Sequence, residues 1–316
     1  MRYRRLGRTE MRVSLLGQGG GGPSQLGQRT DVDQPGIDRL IAAGIEAGIN
    51  FFDTAESYGE SEVILGQALA GVERDRYFLA SKVSYKNRRG DGRIINAKEL
   101  VERLDRSLER LGTDYLDLYQ MHGLEAGDVG PVLSDLIPEL ERQRRAGRIR
   151  AIGVSELWEV DGPHEALLKC LPDGPFDTTM VGYNLLNSCA EDALFDVCRE
   201  HDIGVIVMFA VRRAMSDAAR RNEIFAELVK DGSLDPDSVD AADPLGWVLR
   251  DGVGSIPEAA YRFALEPNVV GTVLTGTSKI EHLRHNLAAV AAGPLPPDLR
   301  REIRERYGQL TQSLGT

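Results

Sequence analysis

The sequence contains few cysteines. There are three among 316 residues, Cys170, Cys189 and Cys198, and their number is odd. Their spacing matches neither a zinc site nor the cysteine framework of a small secreted domain. We therefore expect a reduced, cytoplasmic protein without a bound metal, in which the cysteines serve as buried apolar side chains.

Long apolar runs and an excess of positive charge are also lacking. No apolar run approaches the roughly 20 residues of a membrane-spanning helix. The chain starts with the basic segment MRYRR, but the apolar core of a signal peptide does not follow it. The net charge of -11 argues against non-specific binding to nucleic acids or anionic membranes. These absences argue against nucleic-acid and membrane partners, and the oligomeric state stays open.

Strand-like and helix-like patterns alternate along the chain. The segment from Ala97 to Leu111, for example, places leucines on one face of a helix, and Gly112 follows as its stop. Eight short apolar runs alternate with eight helical segments, which predicts an α/β fold, the (β/α)8 TIM barrel. The length suits a single barrel domain over residues 1–316. A helical pattern between Pro296 and Leu310 predicts an extra helix at the C-terminus.

Four polar residues stand at the ends of consecutive apolar runs. Asp53 comes directly after the run Ile49–Phe52, and Tyr58 lies in the loop that follows. Lys82 and His122 stand at or near the ends of the next two runs. Because the carboxyl ends of parallel strands meet at one edge, we expect these four side chains to converge at the mouth of the barrel.

An Asp, Tyr, Lys and His set allows acid–base chemistry. A free phenol has a pKa of roughly 10 and is a poor acid at neutral pH. A cation beside Tyr58 favours the phenolate, so the proton is given up more easily. Asp53 would keep Lys82 charged and oriented, and His122 would steer a substrate oxygen. The pattern predicts general acid–base catalysis on a carbonyl or an alcohol.

The stretch from Gly48 to Leu69, GINFFDTAESYGESEVILGQAL, resembles the signature of the aldo-keto reductase superfamily. The resemblance covers nearly the whole chain, and the strand-end Lys and His fit it too. It implies a barrel preceded by a small hairpin, an extended NADP(H) bound without a Rossmann domain, and hydride transfer between the nicotinamide and a carbonyl. It also implies that Tyr58 is the general acid, that Asp53 and Lys82 tune it, and that His122 orients the carbonyl oxygen.

The resemblance implies cofactor contacts at several strand ends. The residues are Gly19, Gly20, Asp53, Ser155, Glu156, Met180, Phe209, Arg212, Arg213, Gly276, Thr277, Ser278, Lys279, His282 and Asn286. The last six resemble an adenosine-phosphate motif at a helix N-terminus, which favours NADP, with NAD as the alternative. Glu156 and Met180 replace the family's Asn and Gln, which hold the nicotinamide carboxamide. Because Met accepts hydrogen bonds weakly and ionised Glu cannot donate, we expect Met180 to act only in packing.

Two segments allow a second interpretation. Residues 17–22 match G-x-G-x-x-G, the Rossmann fingerprint, but Pro23 follows where a helix should begin. We interpret them as a flexible first loop whose backbone approaches a ligand closely. The interval from Phe209 to Gly254 predicts either a binding loop over the cofactor pyrophosphate, with Arg212 and Arg213 on its phosphates, or a solvated insertion.

Other residues have simpler assignments. Trp158, after the fifth strand, and Tyr85, just past Lys82, are candidates for the edge of the substrate pocket, with rim packing as the alternative for Trp158. His164 and His201 are expected at the surface.

The alternative to a reductase is a barrel that binds nucleotide as a sensor or accessory subunit, with vestigial catalysis.

Overall fold

A small antiparallel hairpin opens the chain in the computed structural model, which describes residues 1–88, 90–172 and 174–314. Strand β1 (Tyr3–Arg5) pairs with β2 (Arg12–Ser14), and a 3-10 turn at Gly7–Thr9 joins them. Leu6 and Val13 are fully buried against the inside of the barrel. The hairpin therefore closes the amino-terminal end of the barrel, as the resemblance implies.

The main body is a closed sheet of parallel strands, each beside its neighbour in chain order. Within the described residues its eight strands are β3 (Leu16–Gly19), β4 (Phe51–Asp53), β5 (Phe78–Val83), β6 (Leu116–Leu124), β7 (Ile149–Glu156), β8 (Thr178–Gly182), β9 (Gly204–Met208) and β10 (Val270–Thr275). The sheet closes because β10 pairs with β3. The predicted eight-stranded barrel is confirmed.

Helices connect the strands and pack on the outside of the barrel. They are α1 (Gln34–Glu46), α2 (Ser61–Leu69), α3 (Ala97–Leu111), α4 (Val129–Pro131), α5 (Ile137–Arg145), α6 (Glu165–Cys170), α7 (Leu194–Glu200), α8 (Arg213–Ser216), α9 (Ala218–Lys230), α10 (Ile256–Ala264), α11 (Ile280–Ala291) and α12 (Pro297–Tyr307). A π turn at Val132–Leu136 separates α4 from α5. The last helix, α12, is the extra C-terminal helix that the sequence predicts. No helix in the described part of the chain is long and apolar enough to cross a membrane.

Three predicted boundaries differ from the structure. The sequence predicts the first barrel strand at Val13–Leu16, but the strand starts at Leu16 because residues 13 and 14 pair with the hairpin. His122 lies within β6, which continues for two further residues. The interval from Phe209 to Gly254 is not a plain loop, since it contains α8 and α9.

The inside of the barrel is filled by a layer of inward-pointing side chains. This layer consists of Phe51, Ala80, Leu118, Ala151, Met180 and Ile206. Because side chains alternate along a strand, the residue two positions further on points inward again, one layer higher. On β4, β5 and β6 these residues are Asp53, Lys82 and Gln120, and Lys82 is in register with Gln120. The apolar layer thus forms the floor of a site at the carboxyl ends of the strands.

Candidate active site

A buried ion pair joins β4 and β5. Lys82 Nζ donates to Asp53 Oδ2 at 2.5 Å and to the Thr54 carbonyl oxygen at 2.9 Å. Gln120 Nε2 donates to the other Asp53 oxygen at 3.2 Å. Lys82 is 0% and Asp53 2% exposed, so water cannot replace either partner. Asp53 therefore fixes the Lys82 cation in place just below the mouth of the barrel.

Tyr58 reaches toward this pair from the loop after β4. Lys82 Nζ lies 5.0 Å from the centroid of the Tyr58 ring. The imidazole of His122 meets the same ring edge-on, with centroids 5.5 Å apart, and its Nε2 lies 3.4 Å from the Tyr58 hydroxyl. The structure thus brings together the four side chains that the sequence assigns to acid–base chemistry.

Burial and charge oppose each other in this cluster. Burial disfavours the charged form of Lys82, but the Asp53 carboxylate and other partners outweigh it and raise the pKa of the ammonium. Burial raises the pKa of the Tyr58 phenol, and the Lys82 cation offsets only part of that increase. The expectation that the cation alone makes Tyr58 more acidic is therefore incomplete. In the protein by itself Tyr58 is a protonated hydrogen-bond donor at neutral pH.

His122 is held in its neutral form. Burial, together with the Lys82 and Arg88 cations, lowers the pKa of its imidazole to about 3. Its Nδ1 lies 3.3 Å from the Ser57 hydroxyl, while Nε2 faces Tyr58. A neutral imidazole has one donor and one acceptor nitrogen. His122 can therefore donate to an oxygen beside Tyr58 without placing a charge there.

An open cavity of about 960 Å³ lies above these groups. Its wall includes residues assigned both to acid–base chemistry and to the cofactor, namely Tyr58, His122, Ser155, Glu156, Met180, Phe209, Arg212 and Arg213. A volume near 1,000 Å³ is at the upper end of the range for small-molecule sites. One cavity therefore joins the predicted proton donor to six of the fifteen predicted cofactor residues.

Arg212 fits the pyrophosphate that the resemblance places beside it. Its side chain is 7% exposed, yet it lines the cavity, and its Nη1 has no hydrogen-bond partner within the described residues. The guanidinium carbon lies 4.3 Å from the Phe209 ring centroid and 5.0 Å from that of Trp158. An unsatisfied buried N–H is costly, and a phosphate oxygen would satisfy it. Arg213, in contrast, is exposed and pairs with Asp217 at 3.4 Å.

The glycine-rich segment positions Tyr58. Gly19 and Gly20 do not line the cavity. The Gly20 backbone N–H donates to the Asp53 carbonyl oxygen, and the Gly20 carbonyl oxygen accepts from Ser61 Oγ. The close approach occurs at Gly21, where a Cβ atom would lie 2.6 Å from the Tyr58 ring. No helix opens on these glycines, because turns follow them and the first helix begins only at Gln34. The Rossmann alternative is therefore wrong.

The predicted adenosine-phosphate motif lies against the first loop. The Gly276 carbonyl oxygen accepts from Ser24 Oγ at 2.6 Å, and the hydroxyls of Ser278 and Thr30 are 2.7 Å apart. Asn286 Nδ2 donates to a threonine hydroxyl of β10 at 2.8 Å. The cavity wall includes none of the residues assigned here, Gly276, Thr277, Ser278, Lys279, His282 and Asn286. The structure therefore does not join this end of the predicted cofactor site to the cavity.

Known proteins resemble this chain over nearly its whole length. A sequence model described as the aldo/keto reductase family matches residues 19–307. The chain belongs to the aldo/keto reductase family. It is 29% identical over 314 residues to the NADH-specific methylglyoxal reductase of Escherichia coli, covering 90% of this chain and 92% of that protein. It is 27% identical over 298 residues to the L-galactose dehydrogenase of Arabidopsis thaliana, covering 91% and 87%.

A solved structure agrees with this assignment. The holo form of an aldo-keto reductase from Bacillus halodurans superposes with a TM-score of 0.73 at 28% identity, covering 97% of this chain and 96% of that chain. As a member of the aldo/keto reductase family, the protein is an oxidoreductase that acts on carbonyl or alcohol groups with a nicotinamide cofactor.

This aldo/keto reductase departs from the family pattern at Glu156. Both carboxylate oxygens are engaged at 2.7 Å, Oε1 by the Gly182 backbone N–H and Oε2 by His164 Nδ1. The side chain is therefore not free to hold a carboxamide. The pairing also draws His164 inward to 1% exposure, so its expected surface position is wrong, whereas His201 is partly exposed.

The other two residues of the predicted carboxamide site, Ser155 and Met180, are not tied up by a buried ion pair as Glu156 is. Ser155 Oγ accepts a hydrogen bond from the Gly123 backbone N–H at 2.9 Å, which leaves its own proton available to a ligand. Met180 is 2% exposed and belongs to the apolar layer inside the barrel while also lining the cavity. Met180 therefore packs inside the barrel, and its role toward the cofactor stays a prediction.

Two predicted pocket residues lie behind the cavity wall. Tyr85 is 0% exposed, and its hydroxyl donates to Asp128 Oδ2 at 2.8 Å. Trp158 is also fully buried, because the missing side chain of Gly182 lets the indole lie on the backbone of β8. Its ring stacks on Phe209 with centroids 5.4 Å apart. Neither residue lines the cavity, so both support its wall from outside.

Sequence reasoning missed Gln120 and Ser57. Gln120 contacts Asp53, and a signal for it was present, because it precedes His122 by two residues and so faces the same side of β6. Ser57 contacts His122 from the loop, and no periodicity indicates where a loop side chain points.

Proposed function

We propose that this aldo/keto reductase interconverts a carbonyl and an alcohol above Tyr58, with NADP(H) as its preferred cofactor. When bound, the nicotinamide supplies or accepts the hydride. One observation carries the proposal. The Tyr58 hydroxyl and His122 Nε2, 3.4 Å apart, face one cavity, and the charged Lys82 is buried just behind the Tyr58 ring. The wall of that cavity also contains a buried arginine nitrogen that has no hydrogen-bond partner among the described residues.

In the direction of reduction, Tyr58 donates its proton to the carbonyl oxygen as negative charge develops there. The raised pKa of the phenol keeps the proton in place until a strongly basic oxygen is present. Lys82, held by Asp53, then stabilises the phenolate that remains. His122 donates from Nε2 to the same oxygen, and Ser57 donates to Nδ1 and so fixes this tautomer.

Exposed basic residues support the preference for NADP(H). Lys279, His282 and Arg284 are exposed at the start of α11, where a helix N-terminus favours an anionic 2′-phosphate. A charge-assisted contact contributes about 1.5–3 kcal/mol, so we expect NADPH to bind at least about tenfold more tightly than NADH. The Escherichia coli relative is described as NADH-specific, which makes NADH the necessary comparison.

The substrate that we propose is a small, hydroxylated aldehyde, ketone or sugar. Beyond Tyr58 the cavity wall is polar and includes Ser57, Ser84 and Asn87. Side chains of this kind hydrogen-bond hydroxyl groups. The two relatives named above act, by their names, on methylglyoxal and L-galactose.

The experiment titrates the protein with NADPH and NADH by cofactor fluorescence, followed by a panel of aldehydes, ketones and sugars in both directions. We expect saturable binding, tighter for NADPH, and oxidation of the reduced cofactor by at least one carbonyl. Binding without any turnover would favour the nucleotide-binding sensor. A failure of both cofactors to bind would overturn the proposal.

A further inference from the structure

A second cluster of reactive groups lies behind the cavity wall. Cys189 Sγ lies 3.4 Å from His164 Nε2, and His164 Nδ1 lies 2.7 Å from Glu156 Oε2. The three residues come from the end of β7, the position before α6 and the segment after β8. A thiol beside an imidazole that a carboxylate orients is the arrangement of an activated nucleophile. The chemistry proposed at Tyr58 does not use this cluster.

Cys189 differs from the other two cysteines. Cys170 and Cys198 are buried, and burial raises the pKa of each thiol to about 12. Cys189 is partly exposed and hydrogen-bonded to an imidazole, so the expectation that all three cysteines are buried apolar side chains is wrong for it. Thiol reactivity requires both thiolate character and access to solvent. Cys189 combines a neighbouring imidazole with partial exposure to solvent.

The other neighbours of the sulfur indicate which reaction fits. The Gly162 carbonyl oxygen lies 3.3 Å from Sγ and Asn187 Oδ1 3.5 Å. Asn187 Nδ2 is occupied by the carbonyl oxygens of Leu310 and Gln312, which keeps its own oxygen toward the sulfur. Hydrogen-bond acceptors cannot stabilise the oxyanion of an acyl transfer. They can accept a hydrogen bond from the S–O–H group of a sulfenic acid.

We propose that Cys189 is a site of reversible oxidation by small hydroperoxides, with His164 as the group that carries its thiol proton to the leaving oxygen and Glu156 as the group that positions His164. The sulfur attacks one peroxide oxygen, an S–O bond forms and the O–O bond breaks. The sulfur loses two electrons, and the peroxide is reduced to water or an alcohol. The thiol proton passes through His164 Nε2 to the leaving oxygen. A thiol reductant returns the sulfenic acid to Cys189.

Glu156 connects this cluster to the cavity. It lines the cavity, and its Oε1 accepts the backbone N–H of Gly182, on which Trp158 rests. A sulfenic acid at position 189 changes the hydrogen bond to His164 and therefore the charge balance at Glu156. We expect oxidation to weaken cofactor binding by about threefold or more, since one altered hydrogen bond is worth about 1 kcal/mol. This consequence, unlike the reactivity of Cys189, rests on the function proposed above.

The test treats the full chain with hydrogen peroxide, traps sulfenic acid with dimedone and maps the adduct by mass spectrometry. Cys189 should be labelled, and Cys170 and Cys198 should not be labelled in the native protein. The His164→Gln variant should react about tenfold more slowly, because the sulfur loses the group that carries its proton. The His201→Gln variant is the matched control and should react like the wild type.

Two results would overturn the proposal. One is equal labelling of Cys189 in wild type and His164→Gln, with both folded by circular dichroism. The other is labelling of Cys189 no faster than that of a small free thiol. The coupling is tested with Cys189→Ser, which should bind NADPH as the wild type does but no longer respond to peroxide. If peroxide still weakened NADPH binding in Cys189→Ser, the coupling between Cys189 oxidation and cofactor binding would be contradicted. The labelling result stands even if no carbonyl is turned over.

Discussion

The two ends of the cavity differ in how their polar groups are partnered. At the acid–base end, the Tyr58 hydroxyl and His122 Nε2 face the cavity, while the Lys82 and Asp53 charges satisfy each other below it. At the nicotinamide end, both oxygens of Glu156 are taken up by the protein itself. The acid–base end therefore presents groups that can exchange a proton with a ligand, whereas at the other end we propose that backbone, packing and Ser155 hold the ligand.

The two histidines beside the cavity show the same contrast. Burial, together with the Lys82 and Arg88 cations, lowers the pKa of His122 to about 3. Burial also opposes the charge of His164, but its hydrogen bonds to Cys189 and Glu156 outweigh burial and raise its pKa to about 10. His164 therefore stabilises the fold fully below pH about 6.5 and loses that contribution as the pH rises toward 10. The contribution of His122 to stability has the opposite pH dependence, because its pKa is lowered in the folded protein: it is lost as the pH falls below about 6.5.

Removing the phenol tests the acid–base end with the largest expected effect. The Tyr58→Phe variant should lose about 10²–10⁴ in kcat, because it removes a positioned general acid. Its cofactor affinity should stay within about twofold of the wild type, since no charged contact is lost. Steady-state kinetics and cofactor fluorescence measure the two quantities. Tyr115→Phe is the control, and equal turnover in both variants would remove Tyr58 from the mechanism.

Breaking the ion pair should destabilise the fold. In Lys82→Met the Asp53 carboxylate stays buried without its cation, which should lower the free energy of unfolding by about 3–5 kcal/mol. The double variant Asp53→Asn, Lys82→Met should recover much of this loss, because no unpaired charge remains. Urea unfolding measures both. A double variant as unstable as Lys82→Met would show that the pair is not the source of the effect.

Adjacent arginines allow a matched test of the cofactor side. Arg212→Gln should weaken cofactor binding by about 10- to 100-fold, because a buried cationic donor is lost. Arg213→Gln should weaken it by less than about threefold, since this side chain is exposed and already paired with Asp217. Fluorescence titration compares them. Equal losses would mean that burial and the unpartnered Nη1 do not identify the phosphate contact.

The contrast between the histidines predicts an acid-sensitive fold. The folded-state pKa of His122 lies below its ordinary value, so the unfolded chain binds more protons between pH about 6.5 and 3. The free energy of unfolding should therefore fall by no more than about 2 kcal/mol from this residue between pH 6.5 and 5. The decrease should be smaller in His122→Asn. Identical pH profiles of the two proteins would contradict a buried neutral His122.

The smallest effect should come from restoring the family's amide at the nicotinamide end. Met180→Gln places a donor and an acceptor at the cavity wall, and one net hydrogen bond contributes about 0.5–1.5 kcal/mol. We expect cofactor affinity to rise by up to about tenfold without a change in the proton-transfer step. Weaker binding would indicate that the apolar packing of Met180 matters more than a hydrogen bond to the carboxamide.

The acid–base end was readable from the sequence because it depends on strand periodicity. Asp53, Lys82 and His122 stand at the ends of apolar runs, and side chains at alternate positions of parallel strands must share one interior. The pairing of Glu156 with His164 was not readable. His164 has a left-handed backbone at φ 65°, and the turn that places it inside the protein depends on tertiary contacts. The burial of Trp158 likewise depends on Gly182, a residue on another strand.

Isotope transfer tests whether the protein moves a hydride from the reduced cofactor to a carbonyl carbon in the cavity above Tyr58. Reduced cofactor with deuterium on the transferable C4 position is mixed with the best carbonyl of the panel, and the product alcohol is examined by mass spectrometry. We expect one deuterium on the former carbonyl carbon and a hydroxyl proton that comes from solvent. Saturated cofactor binding with the deuterium retained on the nicotinamide, for every carbonyl and sugar tried, would contradict it.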